Sequence, residues 1–265
     1  MILVPFVLKI PGSTPDLGDN AADAKINRLI SEGIGALVEA AISLGHYDHA
    51  RSGLVVRSNS EQKYIDSIYE QAERAVRTER QVAVGSSLDE PSRLETESRA
   101  VTQAMMGGVV PALYGYHAPF VYAKGFVFAL ALVRQVLVQI RKEPTTNAVG
   151  VSALSVLDSS LPGLKGVRDS MAHADERALG TSNRGTISPK PITSGSLRAP
   201  TGGILMFSNL ISNSLGYTDA NGDYAEVPIT ATAHLSAVTC LQQTIDKVKW
   251  RGRPHVVPPV PKSSA

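Results

Sequence analysis

Apolar residues recur every three or four positions through most of this chain, and that period selects helix over strand. Between Asp23 and Leu44 they fall at Ile26, Leu29, Ile30, Ile34, Leu37, Val38, Ala41 and Ile42. Asp19 or Asn20 is placed to cap the start of this helix, and Gly45 to end it. From Ser60 to Ala83 the stripe is Ile65, Ile68, Tyr69, Ala72, Ala75 and Val76. Ser60 is its N-cap, in a capping box left incomplete because Lys63 stands where Glu would close it. Glu70, Glu73, Arg74, Arg77 and Glu79 make the opposite, charged face, which reads as solvated.

A third helical pattern runs from Ser92 to about Gly107 and is broken by Gly107-Gly108 and Pro111. Phe120 to Arg141 is the most apolar helix, and Asn147 to Ser159 is a short one. Leu161-Pro162-Gly163 turns the chain. A further helix then runs to Gly180, a natural C′ residue. After it the composition shifts. Thr181 to Gly203 is rich in Gly, Ser, Thr and Pro, carries Arg184, Lys190 and Arg198, and reads as a long, mildly basic loop. Ile204 to Thr218 and Asp223 to Ile229 are β-prone runs around Asn221-Gly222, a hairpin signal. Thr230 caps a last amphipathic helix with Leu235, Val238, Leu241, Ile245 and Val248 at helical spacing. The fold class is therefore mostly α: a helical bundle with a small β-hairpin, at about 204–229, before the C-terminal helix. Residues 1–250 read as a single domain, and 251–265 as a disordered Pro-rich tail.

Composition narrows the function classes. A chain of 265 residues with 43% apolar residues has the make-up of a soluble globular protein. Its formal charge of +2 neither demands nor excludes a polyanionic partner, so nucleic-acid contact has to come from a local patch. The single cysteine, Cys240, reads as a buried small hydrophobe, and a cytoplasmic setting fits one unpaired thiol. Met1 to Ile10 lacks the basic start of a signal peptide and reads as extended chain packed on the core. In the weakly charged stretch from Met105 to Val133, the longest clean run, Gly125 to Val133, is far short of the ~20 residues of a membrane span. It reads as a central buried helix, so no membrane partner is expected.

Chemistry concentrates in Arg168-Asp169-Ser170-Met171-Ala172-His173. On one regular helix, Leu164, Val167, Met171, Ala174 and Ala178 form an apolar stripe facing the bundle. His173 then lies roughly 140° away from it, one turn after Asp169 on the same face. A carboxylate at that spacing can hold one imidazole nitrogen. Arg168 and His173 are also about 140° apart, so one chain brings them to the same phosphate only through the arginine's reach, an irregular helix or a second copy.

These residues resemble the signature of HEPN-type all-helical domains: an arginine, four to six residues, then a histidine. A polar residue often follows the arginine, as Asp169 does. The flanking Leu161-Pro162-Gly163-Leu164-Lys165-Gly166-Val167, with Asp175 and Leu179-Gly180, is similar to a group of uncharacterised bacterial HEPN-like proteins. The resemblance spans about residues 95–250. It implies metal-independent RNA cleavage. Arg168 would stabilise charge on the scissile phosphate, and His173 would act as general acid/base on the ribose 2′-hydroxyl or the leaving 5′-oxygen. Asp169 would orient the ring, and the products would be a 2′,3′-cyclic phosphate and a 5′-hydroxyl. It also implies a homodimer through the motif helix, with RNA as partner. Other members of the superfamily bind or scaffold without catalysis, which is the competing expectation.

Three further features are set aside. His46-Tyr47-Asp48-His49 offers two imidazoles and a carboxylate, but it follows Gly45 and reads as a polar helix end rather than a metal site. His117, among Tyr114, Tyr116, Phe120 and Tyr122, has the company to stack a base, but reads as core packing around a hydrogen-bonded histidine. Gly107-Gly108 and Gly202-Gly203 lack the spacing of phosphate-binding loops. No metal or cofactor is implied.

Overall fold

The computed structural model describes residues 4–52, 59–110, 112–183, 185–193 and 195–258. The expected break at Pro111, the basic Arg184 and the end of the Pro-rich tail lie outside them. In chain order the elements are β1 (Leu8–Ile10), β2 (Thr14–Pro15), α1 (Asn20–Ser52), α2 (Asn59–Glu79), α3 (Glu90–Met106), α4 (Ala112–Lys142) and α5 (Asn147–Ser160). They continue as α6 (Leu164–Ala172), α7 (Ala174–Ala178), β3 (Thr181–Ser182), β4 (Gly185–Thr186), β5 (Asn209–Ile211), β6 (Ser214–Thr218), β7 (Tyr224–Pro228), α8 (Ala231–Lys247), β8 (Trp250–Arg251) and β9 (His255–Val257). The fold is mostly α with a few short antiparallel strands, as the helical periodicity predicts.

The chain divides into two compact units: residues 1–49 with 120–265, and residues 50–119. In the smaller unit α2 and α3 close on Ile68, Ala72, Ala100 and Ala104. Small side chains let the two backbones approach, and ion pairs flank them. Arg99 holds Glu79 at 2.6 Å and Glu95 at 2.5 Å, and Arg80 pairs with Glu95. The face predicted as merely solvated is therefore partly an ion-pair network. α3 begins at Glu90 rather than Ser92, because the Asp89 carboxylate accepts the Ser92 N–H at 3.1 Å and caps the first turn.

The larger unit has the main core, in which Tyr47, Phe126, Leu137, Ile140, Leu157, Leu215 and Leu241 are sealed from solvent. Each large apolar side chain buried this way stabilises the fold by about 1.5–3 kcal/mol. α1 does not stop at Gly45, which is buried and helical. A glycine costs a helix about 1 kcal/mol, too little to end one whose next turn buries Tyr47. α4 likewise contains Pro119, forfeiting one backbone bond. Its Leu113–Lys142 is long and apolar enough to cross a membrane by composition, with 44% of its most apolar window buried.

The β signal resolves into a three-stranded antiparallel meander, β5-β6-β7, with Leu215 opposite Val227 and Tyr217 opposite Ala225. Asp219 to Gly222 makes the expected turn, with the Asp219 carboxylate accepting the backbone N–H groups of Asn221 and Asp223. The long loop before it is not structureless. β3 pairs with β4, and Ile187 and Ile192 are buried. Nor is the described part of the tail free: β9 pairs with β1 and β8 with β2, joining the two ends of the chain. Leu8 and Ile10 bury from that pairing into the core, and Cys240 is buried, which pushes its thiol up to about 11.

Candidate functional site

The motif segment is seated by contacts its sequence half announces. Leu164, Val167 and Met171 of α6 enter the core, as the stripe predicts. The face of α6 toward the meander is small. A Cβ at Gly163 would come within 2.1 Å of the Glu226 carbonyl oxygen, and one at Gly166 within 3.3 Å of the Ala225 methyl. Ser170 Oγ donates to the Thr218 carbonyl at 3.2 Å. Glycine, glycine and serine on one face thus let the helix rest on β6 and β7.

The single helix expected from 161 to 180 is broken at His173, where φ is −118° and ψ is 41°. Backbone bonds still run from the His173 N–H to the Asp169 carbonyl and from the Arg177 N–H to the His173 carbonyl. The break is therefore a kink between α6 and α7. Gly180 closes the segment at φ +68°, the left-handed C′ conformation expected of it. The kink changes which side chains share a surface. On a regular helix Arg177 would accompany His173 on the outer face. Here Arg177 is 4% exposed, whereas the imidazole of His173 is 56% exposed.

A cleft of about 380 Å³ opens beside the kink. One wall is Lys165, Gly166, Asp169, Ser170 and His173, and the other is the Asp219–Asn221 turn. Glu176, Arg177 and Asn183 complete it. Of the predicted site residues, His173 and Asp169 line this cleft and Arg168 does not. Arg168 turns to Asp169, at 3.0 Å, and is half exposed.

The expected Asp169–His173 pair does not form. Lys165, one turn earlier, holds the Asp169 carboxylate at 2.8 Å, and Arg168 holds its other oxygen. Two permanent cations, one of them a turn away, take the carboxylate in place of the imidazole. Burial opposes ionisation of Asp169, but these two hydrogen bonds prevail and keep its carboxyl below the usual range. The carboxylate beside the ring is instead Glu176, whose Oε1 is 3.6 Å from His173 Nδ1, an ion-pair distance once the ring is protonated.

Arg177 is the cleft residue that the sequence analysis does not single out. Its Nη1 donates to the Thr181 carbonyl at 2.8 Å and meets Glu176 at 3.4 Å. Its Nε is buried and meets no acceptor among the described residues. Only the kink exposes this role, and hydropathy carries no signal for it.

His46 lies within α1 and stacks on Tyr122, ring centroids 4.9 Å apart. Among the described residues no three His, Cys, Asp or Glu side chains gather to hold a metal. His117 is exposed, not core, and meets Tyr116 edge-on at 5.5 Å, with Tyr114 and Tyr116 exposed beside it. α4 turns these rings outward because its apolar stripe lies further along, from Ala123 to Ile140. Among known proteins, no family model, no curated protein and no solved structure matches the chain.

Proposed function

We propose that this protein is a metal-independent endoribonuclease, or an RNA-processing protein of HEPN-like type, with its reaction centre in the cleft at the α6–α7 kink. The observation that carries the reading is the placement of His173. Its imidazole is exposed at a helix break, on a polar cleft that also holds Lys165 and Arg177. An imidazole there can take a proton from a ribose 2′-hydroxyl and return one to a leaving 5′-oxygen, a role worth about 10²–10⁴-fold in rate. Glu176 is placed to stabilise the imidazolium, the task expected of Asp169. Arg168, outside this cleft, would bring its charge to the phosphate through a homodimer across α6, the arrangement that would carry it into a partner's cleft.

The test is RNA incubated with the protein in excess EDTA, beside His173→Ala. Cleavage products ending in 2′,3′-cyclic phosphate, lost in the variant, are the expected outcome. Equal activity or equal inactivity of the two proteins sinks the reading.

A second reading has its own support. The ion pair with Asp169 occupies the motif arginine, as suits a helical binding or scaffold module without catalysis. That reading expects any RNA to be bound and left intact, with or without His173.

A further inference from the structure

The geometry points to an oxyanion clamp in this cleft, built from Arg177 and Lys165, that takes a phosphate or phosphodiester group beside His173. The assignment rests on reading the cleft as the functional site, and it does not require that RNA be cleaved. It moves the anchoring charge from the motif arginine to one nine residues later.

Arg177 is the first support. Both of its hydrogen bonds leave from Nη1, one to the Thr181 carbonyl and one to Glu176. The opposite edge, formed by Nε and Nη2, is the edge that grips an oxyanion through two parallel bonds. That edge is unspent, and Nε is sealed from solvent without an acceptor among the described residues. Buried donors are ordinarily satisfied, so an unsatisfied one on a cleft-lining residue leaves room for a further partner, a water or an anion. The guanidinium is also held in place. Thr181 Oγ1 donates to the Glu176 carbonyl at 3.0 Å, so the carbonyl that fixes Nη1 is itself tied to α7.

Lys165 is the second support. Its ammonium is at the cleft wall, 67% exposed, and held by the Asp169 carboxylate at 2.8 Å. A long, exposed side chain in a single surface pair swings to an incoming anion at little cost. Arg177 thus gives a fixed fork and Lys165 a mobile point charge.

The third support is the balance of charge. The ionisable groups facing the cleft are Lys165 and Arg177, the carboxylates Asp169, Glu176 and Asp219, and His173. Arg168 stands outside it but neutralises Asp169. With the imidazole neutral, the lining's two cations face three carboxylates, one of them already paired to Arg168 from outside; protonation of the imidazole brings the lining to balance. Anion affinity is therefore coupled to the protonation of His173, and by reciprocity a bound anion favours the imidazolium that general-acid chemistry needs.

The experiment uses the full chain and sulfate, which stays dianionic across the pH range used. Arginine Nε–H resonances are followed by NMR during a sulfate titration at constant ionic strength. The expected result is a saturable shift of the Arg177 Nε–H signal, with affinity about threefold or more higher near pH 5.5 than near pH 8. Lys165→Gln weakens sulfate binding by about three- to tenfold, and Arg177→Lys, which keeps the charge but loses the fork, by about fivefold or more. Lys190→Gln, which removes a nearby exposed cation paired with Asp223 outside the cleft, changes it by less than about twofold. Because Arg177→Lys removes a buried bond, its fold is checked by circular dichroism, and Lys165→Gln carries the test alone if that variant unfolds. No saturable shift, an affinity independent of pH, or equal losses in Lys165→Gln and Lys190→Gln overturns the clamp. Sulfate binding without RNA cleavage leaves the clamp standing and removes the ribonuclease reading; cleavage without sulfate binding does the reverse.

Discussion

His234 and His173 belong to the same unit and to opposite environments. His234 sits on α8 against α1, fully buried, its Nε2 3.0 Å from the Leu37 carbonyl and its ring edge-on to Phe6 at 5.2 Å. A carbonyl only accepts, so Nε2 carries the proton. Nδ1 is left bare, with no donor among the described residues. Burial pushes the pKa of His234 down, and the Leu37 carbonyl only partly opposes it. His173 sits at a kink with more than half of its ring in water and a carboxylate nearby. Identical side chains are thus a packing unit in one place and, in the proposed function, a proton carrier in the other. What separates them is whether the helix around them is closed against a neighbour or broken open to a cleft.

The largest effect that tests this contrast is on stability. His234→Ala opens a cavity and removes the extra hydrogen bond to the Leu37 carbonyl, at a cost of about 2–4 kcal/mol. His173→Ala removes an exposed ring and changes stability by less than about 0.5 kcal/mol. Urea unfolding of the two variants beside the parent measures both. Equal losses would break the comparison.

Gly163→Ala comes next. A methyl there meets the Glu226 carbonyl oxygen at 2.1 Å, so α6 must move off β7, at about 1–3 kcal/mol. The same displacement deforms one wall of the cleft. A variant that unfolds like the parent in urea would show that α6 does not depend on this close approach.

The pH dependence of stability is third. His234 has a lower pKa folded than unfolded, so it stabilises the fold fully above the unfolded value, near ~6.5. That contribution is lost as pH falls from there through the folded value, at up to about 1.4 kcal/mol per pH unit. His234→Phe does not titrate and should flatten the slope of stability against pH in that window. A slope that survives His234→Phe assigns it to another group.

The sequence made this contrast only partly readable. Signals that act through the local backbone came through: Thr230 caps α8 by accepting the Ala233 N–H, Gly180 takes its left-handed conformation, and Asn221-Gly222 turns the meander. The apolar stripe of α6 did too, because one face of a short helix has one partner. Features decided by tertiary packing did not. The hydropathy of α8 singles out Leu235, which is 46% exposed, and passes over its neighbour His234, which is sealed. A histidine scores as polar unless its partner, a carbonyl 197 positions away, is known. The kink at His173 has no proline or glycine to announce it. Extrapolating a regular helix across it pairs the imidazole with Asp169 instead of Glu176.

The smallest effect concerns Asp169, the residue that helical phasing paired with His173. Its carboxyl is held below the usual range in the fold, where the bonds from Lys165 and Arg168 outweigh burial. Its stabilisation is therefore present above the unfolded value, near ~3.9, and is lost as pH falls through the folded one. The carboxylate is more than a third exposed, so its pairs contribute about 0–1 kcal/mol. Asp169→Asn should cost less than about 1 kcal/mol in urea unfolding at neutral pH, with the difference from the parent shrinking toward zero in acid. A loss above about 1 kcal/mol, or one that persists in acid, would show that Asp169 contributes more than its two exposed pairs.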